Sequence, residues 1–165
     1  MEPVLIVKYG SAGYFSAKKE VHNVIAKLGD QKDDEELFAP GFITVITKFD
    51  GRKVVEEARE LFMSNPDGFS CTSEWIPVTV WCSTDEIVKT IKEDIAQLIT
   101  AEEEYSIEII KHQNQITDEE IINKIVPLLK GKPGYNPYKT IRIQIAEKKV
   151  AISLLKPNDV LRIND

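Results

Sequence analysis

Residues 105–129 read YSIEIIKHQNQITDEEIINKIVPLL. Tyr105 to Lys111 is rich in isoleucine and spaced as a β-strand. A short polar link follows, and then Thr117-Asp118-Glu119-Glu120 forms a capping box. Its threonine hydroxyl can accept from the amide three residues on, and its last glutamate can reach back to the cap. Ile121, Ile122, Ile125, Val126 and Leu129 then recur at helical spacing. Pro127 is a misfit in that helix and predicts a kinked last turn or an early end. A strand running straight into a capped helix is the mark of an α/β (α+β) protein.

Working outward, residues 131–137 form a turn-rich loop. TIRIQI (140–145) and VAISLL (150–155) read as two strands joined by a hairpin at Ala146-Glu147-Lys148-Lys149. Upstream, Ser83-Thr84-Asp85-Glu86 is a second capping box, opening a helix striped by Ile87, Val88, Ile91, Ile95, Leu98 and Ile99. Further back, VLIVKY (4–9) and FITVITKF (42–49) are strands, and helices fit 16–28 and 50–63. Gly29 stops the first helix, and Asp50 stands at the cap of the second. The acidic stretch 30–36 reads as a loop, and 37–39 as a short edge strand. Residues 70–82 form one long strand or two pieces, with Pro77 marking an edge or a bulge. The order β-α-β-β-α-β over this first part predicts a ferredoxin-like unit.

The chain has 165 residues, 42% hydrophobic and 29% charged, which allows two small globular domains. The boundary is expected at 74/75, giving units 1–74 and 75–165. Its two cysteines, Cys71 and Cys82, form no Cys-x-x-Cys pair, which argues against a disulfide framework and a structural zinc site. The N-terminus MEPVLIVKYG lacks the basic and long apolar regions of a signal peptide, and no apolar run is long enough to span a bilayer. A cytoplasmic protein without membrane contact is therefore expected. Net charge is -6 and unevenly spread. Residues 1–104 hold 11 Lys+Arg and 20 Asp+Glu, a net of -9, whereas 105–165 hold 10 and 7, a net of +3. Such asymmetry points to a polyanion-binding region joined to something else.

Three stretches together resemble the THUMP domain, a small RNA-binding α/β module of tRNA-modifying proteins. They are YSIEIIKHQNQ with its capped helix ITDEEIINKIVPLL, the loop-into-strand GYNPYKTIRIQI, and the closing segment KKVAISLLKPNDVLRI. The similarity spans roughly residues 75–165, with an N-terminal ferredoxin-like βαββαβ unit ahead of it. The core strand here ends in Lys111-His112 where the family often has Lys-Arg. The family's enzymes carry a further catalytic domain, whereas this sequence ends at Asp165, and a chain of the stand-alone kind is expected. The resemblance therefore implies the non-catalytic adaptor type, which binds tRNA or other structured RNA. Such an adaptor presents its RNA to a separate modification enzyme such as an RNA acetyltransferase, here for tRNA cytidine acetylation. No cofactor is implied.

Two groups of residues are the candidate RNA contacts. Lys111, His112, Gln113 and Asn114 sit where a strand exits toward a helix N-terminus, where amide dipoles favour an anion. The acidic first turn of that helix, Asp118-Glu119-Glu120, opposes phosphate, and a solvated strand end is the plainer reading. Lys130, Lys132, Tyr135, Asn136, Tyr138 and Lys139 interleave cations with aromatics, which suits single-stranded nucleic acid. The plainer reading of this group is simple turn chemistry. Arg142 lies on the polar side of its strand, and Lys148, Lys149, Lys156 and Arg162 are lesser candidates. His22 and His112 form no catalytic pair, and no catalytic or metal constellation is visible in the spacing. The runner-up reading is a ferredoxin-like protein-interaction module with no RNA role, motivated by the acidic first half. An RNA adaptor should gather Lys111, Lys130, Lys132 and Lys139 on one basic face.

Overall fold

A computed structural model describes residues 1–112 and 114–163. The chain divides into two units, 1–78 with 158–165, and 79–157.

The first unit begins with β1 (Leu5–Tyr9) and α1 (Tyr14–Leu28), followed by β2 (Asp34–Ala39), β3 (Phe42–Ile46), α2 (Gly51–Ser64) and β4 (Thr72–Pro77). The expected ferredoxin-like order is present: β4-β1-β3-β2, every neighbouring pair antiparallel. One strand joins it from the far end of the chain. β10 (Leu161–Arg162) pairs with β4, Leu161 opposite Trp75 and Arg162 opposite Glu74. The boundary therefore falls after Val78 rather than at 74/75, because Trp75–Pro77 are held by β1 and Leu161–Arg162 return to this sheet. Leu5, Val7, Ile43, Val45 and Trp75 pack against Val21, Ile25, Val54 and Ala58 from the helices.

Gly29 ends α1 at a φ of 110°, in the left-handed region that a β-carbon disfavours. Asp30 follows it, buried, and accepts from the Thr47 hydroxyl at 2.6 Å, the Lys48 amide at 3.0 Å and the Lys32 amide at 2.9 Å. Those bonds, the Thr47 one foremost, hold its carboxyl at about 2. The expected acidic loop is only partly a loop, since Asp34–Ala39 is a strand paired with β3. Alternation along β2 turns Glu35 inward, and burial first, then the neighbouring Asp33, pushes its carboxyl up to about 8. Glu20 is likewise buried, accepting from the Cys71 and Thr72 amides at 2.9 and 2.8 Å, which anchors the start of β4. Asp50 stands at the cap of α2, but its side chain makes no capping bond.

The second unit has a sheet of order β5-β9-β8-β6-β7. Its strands are β5 (Val80–Ser83), β6 (Glu104–His112), β7 (Lys132–Pro133), β8 (Lys139–Ala146) and β9 (Lys149–Leu155). β6 runs parallel to both β7 and β8, and the other pairs are antiparallel. The expected helix over 84–99 is irregular. A 3-10 turn leads into α3 (Ile87–Thr90), then a wider π-turn (Ile91–Ile95) and a 3-10 end (Ala96–Leu98). Ile87, Ile91, Ile95 and Ile99, all buried, recur every fourth residue. On a regular helix such a row drifts by about 40° per step, and a wider turn takes back part of that drift. The Ser83–Glu86 capping box forms, and ahead of α4 (Asp118–Ile125) half of the second one does: Thr117 Oγ1 accepts from the Glu120 amide at 3.2 Å. Pro127 ends α4 early, and a 3-10 turn (Val126–Leu128) replaces its last turn. Isoleucines 121, 125, 141, 143, 145 and 152 share a core with the α3 row.

Two outcomes test this packing. A β-carbon on Gly131 would stand 2.6 Å from the Glu103 carbonyl oxygen and 2.9 Å from Ile99. Gly131→Ala is expected to destabilise the second unit by about 1–3 kcal/mol in urea unfolding. Because Asp30 titrates below its ordinary 3.8 in the folded chain, its contribution is complete above about pH 4 and is lost as pH falls toward about 2. Unfolding midpoints taken across that window should fall in the wild type, and the Asp30→Asn variant should lack this component.

Candidate nucleic-acid interface

β6 is the axis on which the candidate residues are arranged. At its start, the loop after α4 is held by three main-chain bonds. The Lys132 amide donates to Glu103 O at 3.0 Å, Gly134 to Tyr105 O at 3.1 Å and Tyr138 to Glu104 O at 3.1 Å. Lys130, Lys132, Tyr135 and Asn136 are exposed on this anchored loop, Tyr135 completely, and Tyr138 is 52% exposed. Their side chains form no hydrogen bond or ion pair with other described residues. Two cations and two aromatic rings thus stand in water on a backbone that the sheet holds still.

Lys139 and Arg142 belong to the frame instead. The Lys139 ammonium, 13% exposed, donates to the Leu98 carbonyl and to Glu103 Oε1 at 3.0 Å. Glu103 also accepts from the Thr100 amide at 2.7 Å. That bond first, and Lys139 after it, hold the Glu103 carboxyl below its ordinary range. Arg142 is buried on β8 and donates from Nε to Glu108 Oε2 at 3.1 Å, across a register pair of β6 and β8.

The other candidate group lies at the far end of β6. Lys111 Nζ donates to the Ile116 carbonyl at 2.9 Å and pairs with Asp118 at 2.9 Å. Asn114 is occupied at both ends of its amide: Nδ2 donates to Glu147 O and Oδ1 accepts from the Ile116 amide, each at 2.8 Å. His112 is half-buried, and burial lowers its pKa, so the ring is neutral at pH 7 and offers phosphate no charge. Gln113 lies outside the described residues. Lys148 and Lys149 are exposed at the β8–β9 tip, beside this end. Asp118, Glu119 and Glu120 fill the first turn of α4, where their charge opposes a phosphate.

The two groups do not meet. Along β6, Lys132 is level with Glu104, and Ile145 with Lys111. Seven residues of strand at about 3.3 Å each separate the ends by about 23 Å. The single face expected from Lys111, Lys130, Lys132 and Lys139 is therefore not formed. The charge contrast also shrinks when counted by fold unit. The second unit holds 11 Lys+Arg and 12 Asp+Glu, a net of -1, and the first holds 10 and 15, a net of -5. The +3 half began at Tyr105 and so left out the acids of the α3 segment, which belong to the same unit.

Elsewhere in the second unit, a groove between the α3 entry and α4 is lined by Asp85, Ile87, Glu120, Ile121 and Lys124, a mixture without a catalytic pair. Trp75 is in the core of the first unit, whereas Trp81 is half-buried on β5 in the second. Among the described residues no helix is long and apolar enough to cross a membrane.

No protein-family model and no curated protein matches this sequence. Solved structures do match in shape. PH1313 from Pyrococcus horikoshii superposes with a TM-score of 0.66 at 12% identity, over 97% of this chain and 55% of its own. TrmN from Thermus thermophilus gives 0.59 at 9%, over 94% and 47%. A 4-thiouridine synthetase, solved in complex with RNA and with bound ATP, gives 0.57 at 12%, over 98% and 42%. The fold is THUMP-like. The chain spans about half the length of these structures, and at such identities the likeness is one of fold alone.

The placement separates frame from surface in a measurable way. Lys139→Ala should destabilise the second unit by about 1–3 kcal/mol, because it strips a charged donor from the Leu98 carbonyl and from the part-buried Glu103 carboxylate. Lys132→Ala, made in water, should change the unfolding midpoint by less than about 0.5 kcal/mol.

Proposed function

We propose that this chain is a non-catalytic RNA-binding module, which holds the single-stranded part of a structured RNA, tRNA above all, on the loop at the start of β6. The carrying observation is that loop: Lys130 and Lys132 beside Tyr135 and Tyr138, all in water on a backbone fixed by three main-chain bonds. The lysines neutralise phosphates, the rings stack on unpaired bases, and Asn136 is placed to hydrogen-bond a base edge or phosphate. The THUMP-like fold and the RNA held by the 4-thiouridine synthetase support this reading. In it, the chain is an adaptor that delivers tRNA to a separate modification enzyme, with cytidine acetylation as the reaction served. Lys111 and Asn114 act mainly in shaping the far end of β6, while Lys148 and Lys149 give that end a secondary phosphate contact.

The acidic first unit favours a second reading, a protein-interaction module whose net charge of -5 meets a basic partner.

A tRNA titration at several salt concentrations distinguishes the two. Affinity should fall as salt rises, and Lys130→Glu/Lys132→Glu should lower the slope of log K against log salt by about 1 for each phosphate contact removed. Tyr135→Ala should weaken binding by about 5- to 150-fold, the loss of one stacked base. Lys148→Glu/Lys149→Glu should have the smaller effect. Salt-insensitive binding, or indifference to the loop substitutions, would sink the RNA reading of this loop. Absence of binding at low salt would favour the interaction module.

A further inference from the structure

The first unit holds a cluster that the spacing of the sequence hides. His22 on α1, Asp33 just ahead of β2 and Glu35 within β2 each offer a ligand atom, all within 4.8 Å of one another. His22 Nδ1 stands 2.9 and 3.1 Å from the two Asp33 oxygens and 3.7 Å from Glu35 Oε1. Imidazole and carboxylate ligands bind zinc at about 2.0–2.2 Å, which puts two tetrahedral ligand atoms about 3.4 Å apart. The observed separations fall on either side of that value.

A second observation points to a ligand. The Asp33 side chain is fully covered and Glu35 is 4% exposed. Glu35 Oε1 is buried with no hydrogen-bond partner among the described residues. It faces the His22 imidazole at 3.7 Å, beyond hydrogen-bond reach, and the Asp33 carboxylate. Two covered carboxyl groups packed side by side make the doubly ionised pair costly unless a cation joins them. Lys18, one turn earlier on α1, acts on Glu35 only from a distance.

We propose that His22, Asp33 and Glu35 bind one divalent transition-metal ion of the zinc class. One nitrogen and two carboxyl oxygens, without thiolate, suit such an ion. His22, 47% exposed, leaves a fourth position open to water. The site lies in the first unit and does not depend on the RNA reading of the second. The ion would tie α1 to β2.

The test uses the untagged full chain, stripped with chelator and titrated with Co2+, whose visible absorption reports low coordination number. The expected result is a band that saturates at one ion per chain and is displaced by Zn2+. His22→Gln and Glu35→Gln should each weaken binding at least tenfold while circular dichroism stays unchanged. His22 is on the surface, so its variant tests the site even if Glu35→Gln disturbs the strand. No saturable Co2+ binding, or binding that both variants leave intact, overturns the proposal.

Discussion

The parallel pairing of β6 with β8 is the constraint on which the second unit depends. Eight register pairs run from Tyr105 opposite Lys139 to His112 opposite Ala146. Parallel strands need a crossover, and α4 with its trailing loop supplies it. The crossover leaves β6 at one end and returns to β8 at the other. Each end of the sheet therefore receives its own group of polar residues. The outgoing turn is drawn tight by Asn114 and Lys111, which use their polar atoms on the backbone and on Asp118. The returning loop is tied by its main chain, so its side chains remain available to a ligand.

The first unit uses acidic side chains as structure. Asp30 gathers three donors around one turn, and Glu20 gathers two amides at the start of β4. Both are carboxylates whose burial is compensated by hydrogen bonds. Glu35 is the contrast, with one oxygen buried and no donor. An acidic run that reads as a uniform solvated loop is in fact divided among a bonded turn, a covered cluster and an exposed strand edge.

The elements with strong local signals were legible. The Ser83 capping box, the Thr117 cap, the β-α-β-β-α-β order and the early end at Pro127 follow from short-range rules, and each is present. Strand β2 was obscured because Asp and Glu are poor strand formers, and pairing with β3 overrode that preference. The candidate site was legible as a list of residues but not as a place. Lys111 and Lys139 both follow the pattern of a contact residue, yet each ends on a neighbouring carboxylate. Their partners, Asp118 and Glu103, are separated from them by a turn and by a whole crossover.

The sequence by itself determined the class of the fold, the capped helices, the strand faces and the presence of a cation-aromatic loop. These follow from periodicity and from bonds between residues a few positions apart. Only the tertiary structure decided that the last strand returns to the first sheet, that the two candidate groups stand at opposite ends of β6, and that His22 meets Asp33 and Glu35. Each of those depends on strand pairing or packing between distant segments. Side-chain chemistry sets which contacts are favourable, but the register of paired strands sets which residues are near enough to make them.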